Sequence, residues 1–124
     1  MGKSKDARRL ENNQAMAVGN SIRTSSRKLN LVAQSIRGLK VEKAVAELTF
    51  SKRRIAKSVL AVLKSAIANA ENNQGLNKDD LFVAEAYANQ APSFKRVSFR
   101  GRGGVDTIIK RNCHITVVLD TVKK

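Results

Sequence analysis

Carboxylates are scarce in this chain of 124 residues. Ten Asp and Glu stand against 24 Lys and Arg, giving a formal charge of +14 and a pI near 10.7. Such a balance calls for an anionic partner, a nucleic acid or an anionic membrane. Cysteine is nearly absent: Cys113 is the only one, so no intrachain disulfide forms, and a reducing cytoplasm is expected. No apolar run approaches the ~20 residues of a membrane span. The first six residues are basic but lack the apolar stretch of a signal peptide, and Asp6 stands where a myristoylation site needs Ser or Thr. A membrane partner is therefore not expected. Metal-ligand sets are missing too. Cys113 and the single histidine, His114, are neighbours, and neighbours on a strand point to opposite faces. Asp106, Glu85 and His114 offer neither a carboxylate pair nor a nucleophile–base spacing. No metal, no cofactor and no catalytic residue are expected. At this length, and without internal repeats, residues 1–124 are expected to form a single domain.

Taken in order, residues 1–14 read as a basic tail. Residues 15–23 suit a strand, with Met16, Val18 and Ile22 on one face at period two and Gly19 weakening the pattern. Thr24, Ser25 and Ser26 offer an N-cap. Leu29, Val32, Ala33 and Ile36 then follow the stripe of an amphipathic helix, which Gly38 ends. A shorter helix repeats the rule with Val41, Ala44, Val45 and Leu48. Ser51 is read as the cap of a third and longest helix, reaching to about Asn73 with Gly75 as its stop. The core stripe there is Ile55, Val59, Val62, Leu63, Ala66 and Ala70.

After a turn at 77–80, the chain reads as two strands that leave the body together and return. Residues 81–89 go out. On the return strand Ile109, Cys113, Ile115, Val117 and Leu119 share one face, while Lys110, Asn112, His114 and Thr116 share the other. The intervening residues 92–104 are too long for a tight turn and too basic and Gly-rich for a core. Paired as a ribbon, they make an arm at about 86–110, on the order of 45 Å long from Glu85 to a tip near Phe99. A bare two-stranded ribbon is marginal in water, so the arm is expected to rest on another surface. Its cations, Lys95, Arg96, Arg100, Arg102, Lys110 and Arg111, face only Asp106, so that surface is a polyanion. The expected fold class is α+β: three helices on a small three-stranded antiparallel sheet, with a long extended β-hairpin arm.

The helix starts break a rule. Cations in a first helical turn are disfavoured by about 0.3–1 kcal/mol each when exposed. Arg27 and Lys28 nevertheless open the first helix, and Lys52, Arg53 and Arg54 are read as opening the third, with Lys57 and Lys64 on its outer face. Local rules fail at functional sites, and a helix N-terminus with added cations suits phosphate. Phe94 and Phe99 have two readings: stacking on bases or wedging into a groove, or packing across the ribbon onto Val97, Val105 and Ile108. The second holds at least as well for Phe94, whereas Phe99, near the tip, is the better candidate for a contact beyond the chain. Gly101, Gly103 and Gly104 permit positive φ and close backbone approach, but without a strand–turn–helix context they are no nucleotide loop.

A set of motifs runs through the chain: Ser26-Arg27-Lys28-Leu29, Ile36-Arg37-Gly38, and Lys64-Ser65-Ala66-Ile67-Ala68-Asn69-Ala70-Glu71. Further on come Pro92 with Lys95-Arg96, Arg100-Gly101-Arg102-Gly103, and His114-Ile115-Thr116-Val117-Val118-Leu119. Through these residues the chain, from about Met16 to Leu119, resembles the bacterial large-subunit ribosomal protein 22 family. The resemblance implies a structural protein of the cytoplasmic ribosome and not an enzyme. Its expected partners are large-subunit (23S-type) rRNA, neighbouring large-subunit proteins and, at the hairpin tip, the nascent polypeptide in the exit tunnel. The body cations Arg23, Arg27, Lys28, Lys52, Arg53, Arg54, Lys57 and Lys64 are expected on rRNA. So are Lys95, Arg96, Arg100, Arg102, Lys110, Arg111 and His114 of the arm and its root. Ser98, Phe99, Arg100, Gly101, Arg102, Gly103 and Gly104 would line the tunnel. The tip is less cationic than the family pattern, with Gly104 standing where a basic residue is common.

The alternative from composition alone is a DNA-binding helix-turn-helix. Against it, the stretch between the first two helices lacks a clear recognition helix with base-reading Asn, Gln or Arg at its start, and the arm would have no task. DNA is therefore not an expected partner.

Overall fold

The computed structural model describes Gly2 and residues 9–122. Residues 1 and 3–8, much of the expected basic tail, lie outside the described residues. The elements run β1 (Gln14–Ile22), α1 (Ser26–Ile36), α2 (Val41–Thr49), α3 (Ala56–Gln74), β2 (Leu81–Phe99) and β3 (Val105–Thr121). The sheet is antiparallel in the order β1-β3-β2, and the fold is α+β with a hairpin arm.

The two short helices form where their apolar stripes lie. Leu29, Val32, Ala33 and Ile36 of α1 and Val41, Ala44 and Leu48 of α2 are buried against the sheet and α3. Gly38 turns the chain at φ +75° and donates its N–H to the Val83 carbonyl at 2.8 Å, and the Val83 N–H donates to Leu39 at 2.9 Å. The link between α1 and α2 thus covers the outer edge of β2, which would otherwise expose unpaired backbone.

Helix α3 begins later than its sequence suggests. Ser51 does not cap it. The Ser51 hydroxyl accepts weakly from the Arg53 N–H at 3.4 Å, and the Ala56 N–H turns back to the Arg53 carbonyl at 3.1 Å. Residues 53–56 therefore form a tight turn, and Lys52, Arg53 and Arg54 precede the helix instead of opening it. Its end is as read, with Gly75 left-handed at φ 64°.

Strand β1 faces the other way from its larger side chains. Ala15 and Ala17 are buried under α3, while Met16 is half-buried and Val18 is 44% exposed. The reason is close approach. The Asn69 side chain of α3 donates to the Met16 carbonyl at 3.0 Å, and a Cβ on Gly19 would sit 2.5 Å from Val62 Cγ2. Only small residues fit that face. A register shift between Gly19 and Ile22, with Ser21 at φ 54°, then turns Ile22 back toward the core.

In β3, Cys113, Ile115, Val117 and Leu119 are fully buried beneath the helices. On β2, Leu81 and Val83 face the same side. A bulge between Val83 and Glu85 then shifts the phase, so that Ala86 and Ala88 meet the core while Glu85 and Tyr87 take the helix-free face. There Arg9 meets Tyr87, whose hydrogen bond and charge hold the guanidinium pKa above its ordinary value, with Glu85 at 3.8 Å adding to it.

Among the described residues, no third strand accompanies the ribbon beyond Cys113. A second bulge, between Ala91 and Phe94, holds the single proline, Pro92. Asn112, only 4% exposed, donates across it to the Pro92 carbonyl at 3.1 Å. The two-stranded part runs from there to the Phe99–Val105 pair, roughly 25–30 Å at about 3.4 Å per residue. It is shorter than the 45 Å expected because residues 86–91 still lie in the body's sheet.

Candidate nucleic-acid interface

The end of β1, the start of α1, the turn ahead of α3 and the base of the arm meet at one corner of the body. Arg23 donates from Nη1 to the Arg111 carbonyl at 2.8 Å. Arg54 donates from Nη2 to the Arg23 carbonyl at 3.3 Å. Three arginines from three parts of the chain are thus joined through backbone oxygens, with no carboxylate between them. Lys28, Thr24, Ser25 and Ile109 line the same cleft. Arg27 and Ser26 extend it past Arg111, and Arg53, Leu31 and Ile55 extend it on the other side. None of these lining residues is acidic. Cations gathered without counter-charges repel one another, and a polyanion relieves that repulsion.

The backbone adds to this field. Ser25 sits at the N-cap of α1 in an extended conformation, but its hydroxyl makes no capping bond. The first turns of α1 and α3 hold no acidic residue, whereas α2 has Glu42 there. The charge rule for helix N-termini is therefore broken at the two helices that start beside the cleft and kept at the one that does not. At α3 the turn at 53–56 takes up the first N–H groups, the Ala56 N–H on Arg53 at 3.1 Å and the Ser58 N–H on Ile55 at 3.1 Å, so only its cations and dipole contribute. At α1 uncapped N–H groups plus cations make a phosphate-binding geometry.

The register divides the arm's side chains between two faces. Phe94, Arg96, Ile108 and Lys110 share the helix-free face with Ser98 and Asp106. Arg96 lies over the Phe94 ring at 5.8 Å. Lys95, Val97, Phe99, Val105, Thr107 and Ile109 share the helix side, which leads into Arg111 and the cleft. Phe94 therefore cannot pack on Val97 or Val105, which lie on the other face; it stays 56% exposed, and Phe99 is 84% exposed. At the tip the Arg100 N–H donates to the Gly104 carbonyl at 2.8 Å, and the Gly104 N–H donates to Gly101 at 3.2 Å. Arg102 and Gly103 are left-handed at φ 59° and +74°. Arg100 Nε meets Asp106 Oδ2 at 2.6 Å, so among the described residues Arg102 is the tip cation without a carboxylate partner.

The family described as ribosomal protein L22p/L17e matches residues 17–120. The chain belongs to that family. It is 53% identical to the large ribosomal subunit protein uL22 of Rhizobium etli, over 99% of this chain and 95% of that one. It is 52% identical to the Dinoroseobacter shibae protein of the same name over 100% and 98%, and 53% identical to that of Rhodospirillum rubrum over 96% and 94%.

Against the family motifs, the fold distributes the expected site residues unevenly. Arg23, Arg27, Lys28, Arg53, Arg54 and Arg111 come together around the cleft. Lys52 is exposed ahead of α3, and Lys57 and Lys64 are exposed along its outer side. Lys95, Arg96, Arg100, Arg102 and Lys110 are exposed along the arm. His114 is different: its Nδ1 accepts the Ser21 N–H at 3.1 Å and so holds the irregular end of β1. Its Nε2 carries the hydrogen in that arrangement and points the ring's donor elsewhere. Thr24, Ser25 and Leu31 line the cleft as well, although their sequence context reads only as helix cap and helix surface. Among the described residues, no group of three His, Cys, Asp or Glu side chains is placed to hold a metal ion.

Proposed function

We propose that this protein is a structural constituent of the large ribosomal subunit that binds 23S-type rRNA through the cleft and the arm. The cleft's cluster of cations without a carboxylate is the observation that carries this reading. It is supported by an arm bearing six cations against one carboxylate and by the family to which the chain belongs. The mechanism is phosphate neutralisation. Arg and Lys displace condensed counterions, and the uncapped N–H groups at the start of α1 fix the position of a phosphate. The body docks by the cleft; the arm then lies between RNA segments, the cations of both its faces on backbone and its exposed aromatic side chains free to stack on unpaired bases.

The test is binding of the purified protein to large-subunit rRNA across a salt series, with DNA duplex of equal length as competitor. Affinity is expected to fall by orders of magnitude between low and moderate salt, with RNA preferred. A flat dependence, or equal competition by DNA, overturns the reading.

In the same proposal, following the family resemblance, the tip lines the polypeptide exit tunnel and meets the nascent chain. The core and most cations lie behind the tip, so deleting residues 98–100 should leave subunit assembly largely intact while altering macrolide sensitivity or nascent-chain stalling. The deletion is tested as the sole cellular copy, scoring subunit yield and drug response. Loss of large subunits would make the tip an assembly anchor. An unchanged drug and stalling profile would remove it from the tunnel wall.

A further inference from the structure

Helix α2 buries Val41, Ala44 and Leu48. At 100° per residue, Lys43, Ala46, Glu47 and Phe50 lie on the opposite side. With Leu39 they line a shallow groove of their own, which shares no lining residue with the cationic cleft. Phe50 forms one wall. It is 86% exposed, yet its backbone is fixed at the helix end, with its N–H on the Ala46 carbonyl at 3.1 Å.

The charge here differs from the rest of the chain. Lys40 and Lys43 balance Glu42 and Glu47, so the α2 surface sums to zero in a chain of +14. Lys43 and Glu47 are one helical turn apart but make no ion pair with each other; the ion pairs among the described residues are Arg9–Glu85 and Arg100–Asp106. Both charges stand on the rim, available to a partner. A polyanion gains no counterion release from a neutral surface. An exposed aromatic beside Leu39 and Ala46, with one acid and one base at the edge, instead matches a protein interface: apolar centre, polar rim.

We propose that this groove docks a neighbouring protein of the large subunit. That protein inserts an apolar side chain between Leu39, Ala46 and Phe50 and meets Glu47 and Lys43 with a base and an acid. The proposal rests on the subunit membership proposed above.

The test places photoreactive benzoylphenylalanine at position 50 in cells, with a second probe at Ala46 reading the same groove. Large subunits are isolated through a high-salt gradient and irradiated. The expected product is an adduct with one subunit protein, reduced at least tenfold when Glu47→Lys is added. Adducts to rRNA alone, to a second copy of this chain, or none above the level of a probe at exposed Ala61 overturn the docking surface while leaving subunit membership standing. Absence of the unmodified chain from the subunit fraction overturns membership, and the docking proposal with it.

Discussion

Gly19 shows how one missing methyl group sets the distance between two elements. A Cβ there would meet Val62 Cγ2 at 2.5 Å and Ile115 Cγ2 at 3.0 Å, so α3 and β3 both close onto bare backbone. Gly19→Ala is expected to destabilise the fold by about 1–3 kcal/mol, as overpacking does, seen as a lower urea midpoint with an unchanged slope. In the sequence Gly19 only weakens a strand pattern. Its role is not legible there, because the atom it makes room for belongs to Val62, far along the chain in α3. Cys113 is legible as a core position from its alternation with Ile115 and Val117. Burial pushes its thiol pKa up. In the native protein it should resist alkylation by iodoacetamide and react on unfolding. The sign for stability follows. The folded state keeps the thiol proton longer than the unfolded chain, so this contribution is intact below the thiol's ordinary pKa and lost as pH climbs toward the raised value. Urea midpoints of wild type and Cys113→Ala, compared across alkaline pH, should show the wild type falling more steeply. Asp106 acts at the same scale on charge. Its pair with Arg100 is solvent-exposed and adds little stability. Asp106→Asn is expected to leave melting unchanged, raise RNA affinity and steepen the salt slope by about one unit by freeing a cation.

Among the elements, α1 and α2 are legible because each lays a single stripe on one sheet, and that geometry writes the i, i+3, i+4 pattern directly into the sequence. The start of α3 is not. Ser51 is a good cap by residue type, but the turn at 53–56 takes the backbone bonds that a capped helix would use. The orientation of β1 departs from its pattern for a related reason: larger side chains usually mark the core face, and here α3 lies too close for them. The turn gives a sharp expectation. Of Lys52, Arg53 and Arg54, Arg54 alone ties its side chain to another element, through the Arg23 carbonyl. Changing all three to Gln should leave the melting temperature unchanged or slightly higher, since cations no longer crowd the α3 N-terminus. RNA affinity should fall, and the salt slope should become shallower by about one unit for each phosphate no longer neutralised. A marked drop in melting temperature would make the three residues structural. The cleft itself is legible only in parts. Its cations are read from two helix starts and the arm, but the convergence of Arg23, Arg54 and Arg111 depends on how three distant segments close.

At the scale of the whole fold, the described residues divide their charge unevenly. The cleft and arm gather cations with Asp106 as their carboxylate, whereas Glu71, Asp79, Asp80 and Asp120 outnumber Arg9 and Lys78 where β1 and β2 begin. Asp120 is held there by Asn13 at 2.9 Å and Gln14 at 3.0 Å. Such a distribution orients the molecule before contact, arm end first toward a polyanion. Association with rRNA is therefore expected to slow with added salt more than a uniformly charged body of the same net charge would, measured by stopped-flow mixing.

Strand β3 is the middle of the sheet and also one side of the arm, and it is made after both strands it pairs with. Gln14 lies 106 residues before its partner Asp120. During synthesis β1 and the three helices emerge with their apolar faces uncovered and wait for the final strand to close the sheet. Chains stopped before residue 113 should be held by chaperones or aggregate, and protease resistance should appear abruptly once residues 113–121 have emerged.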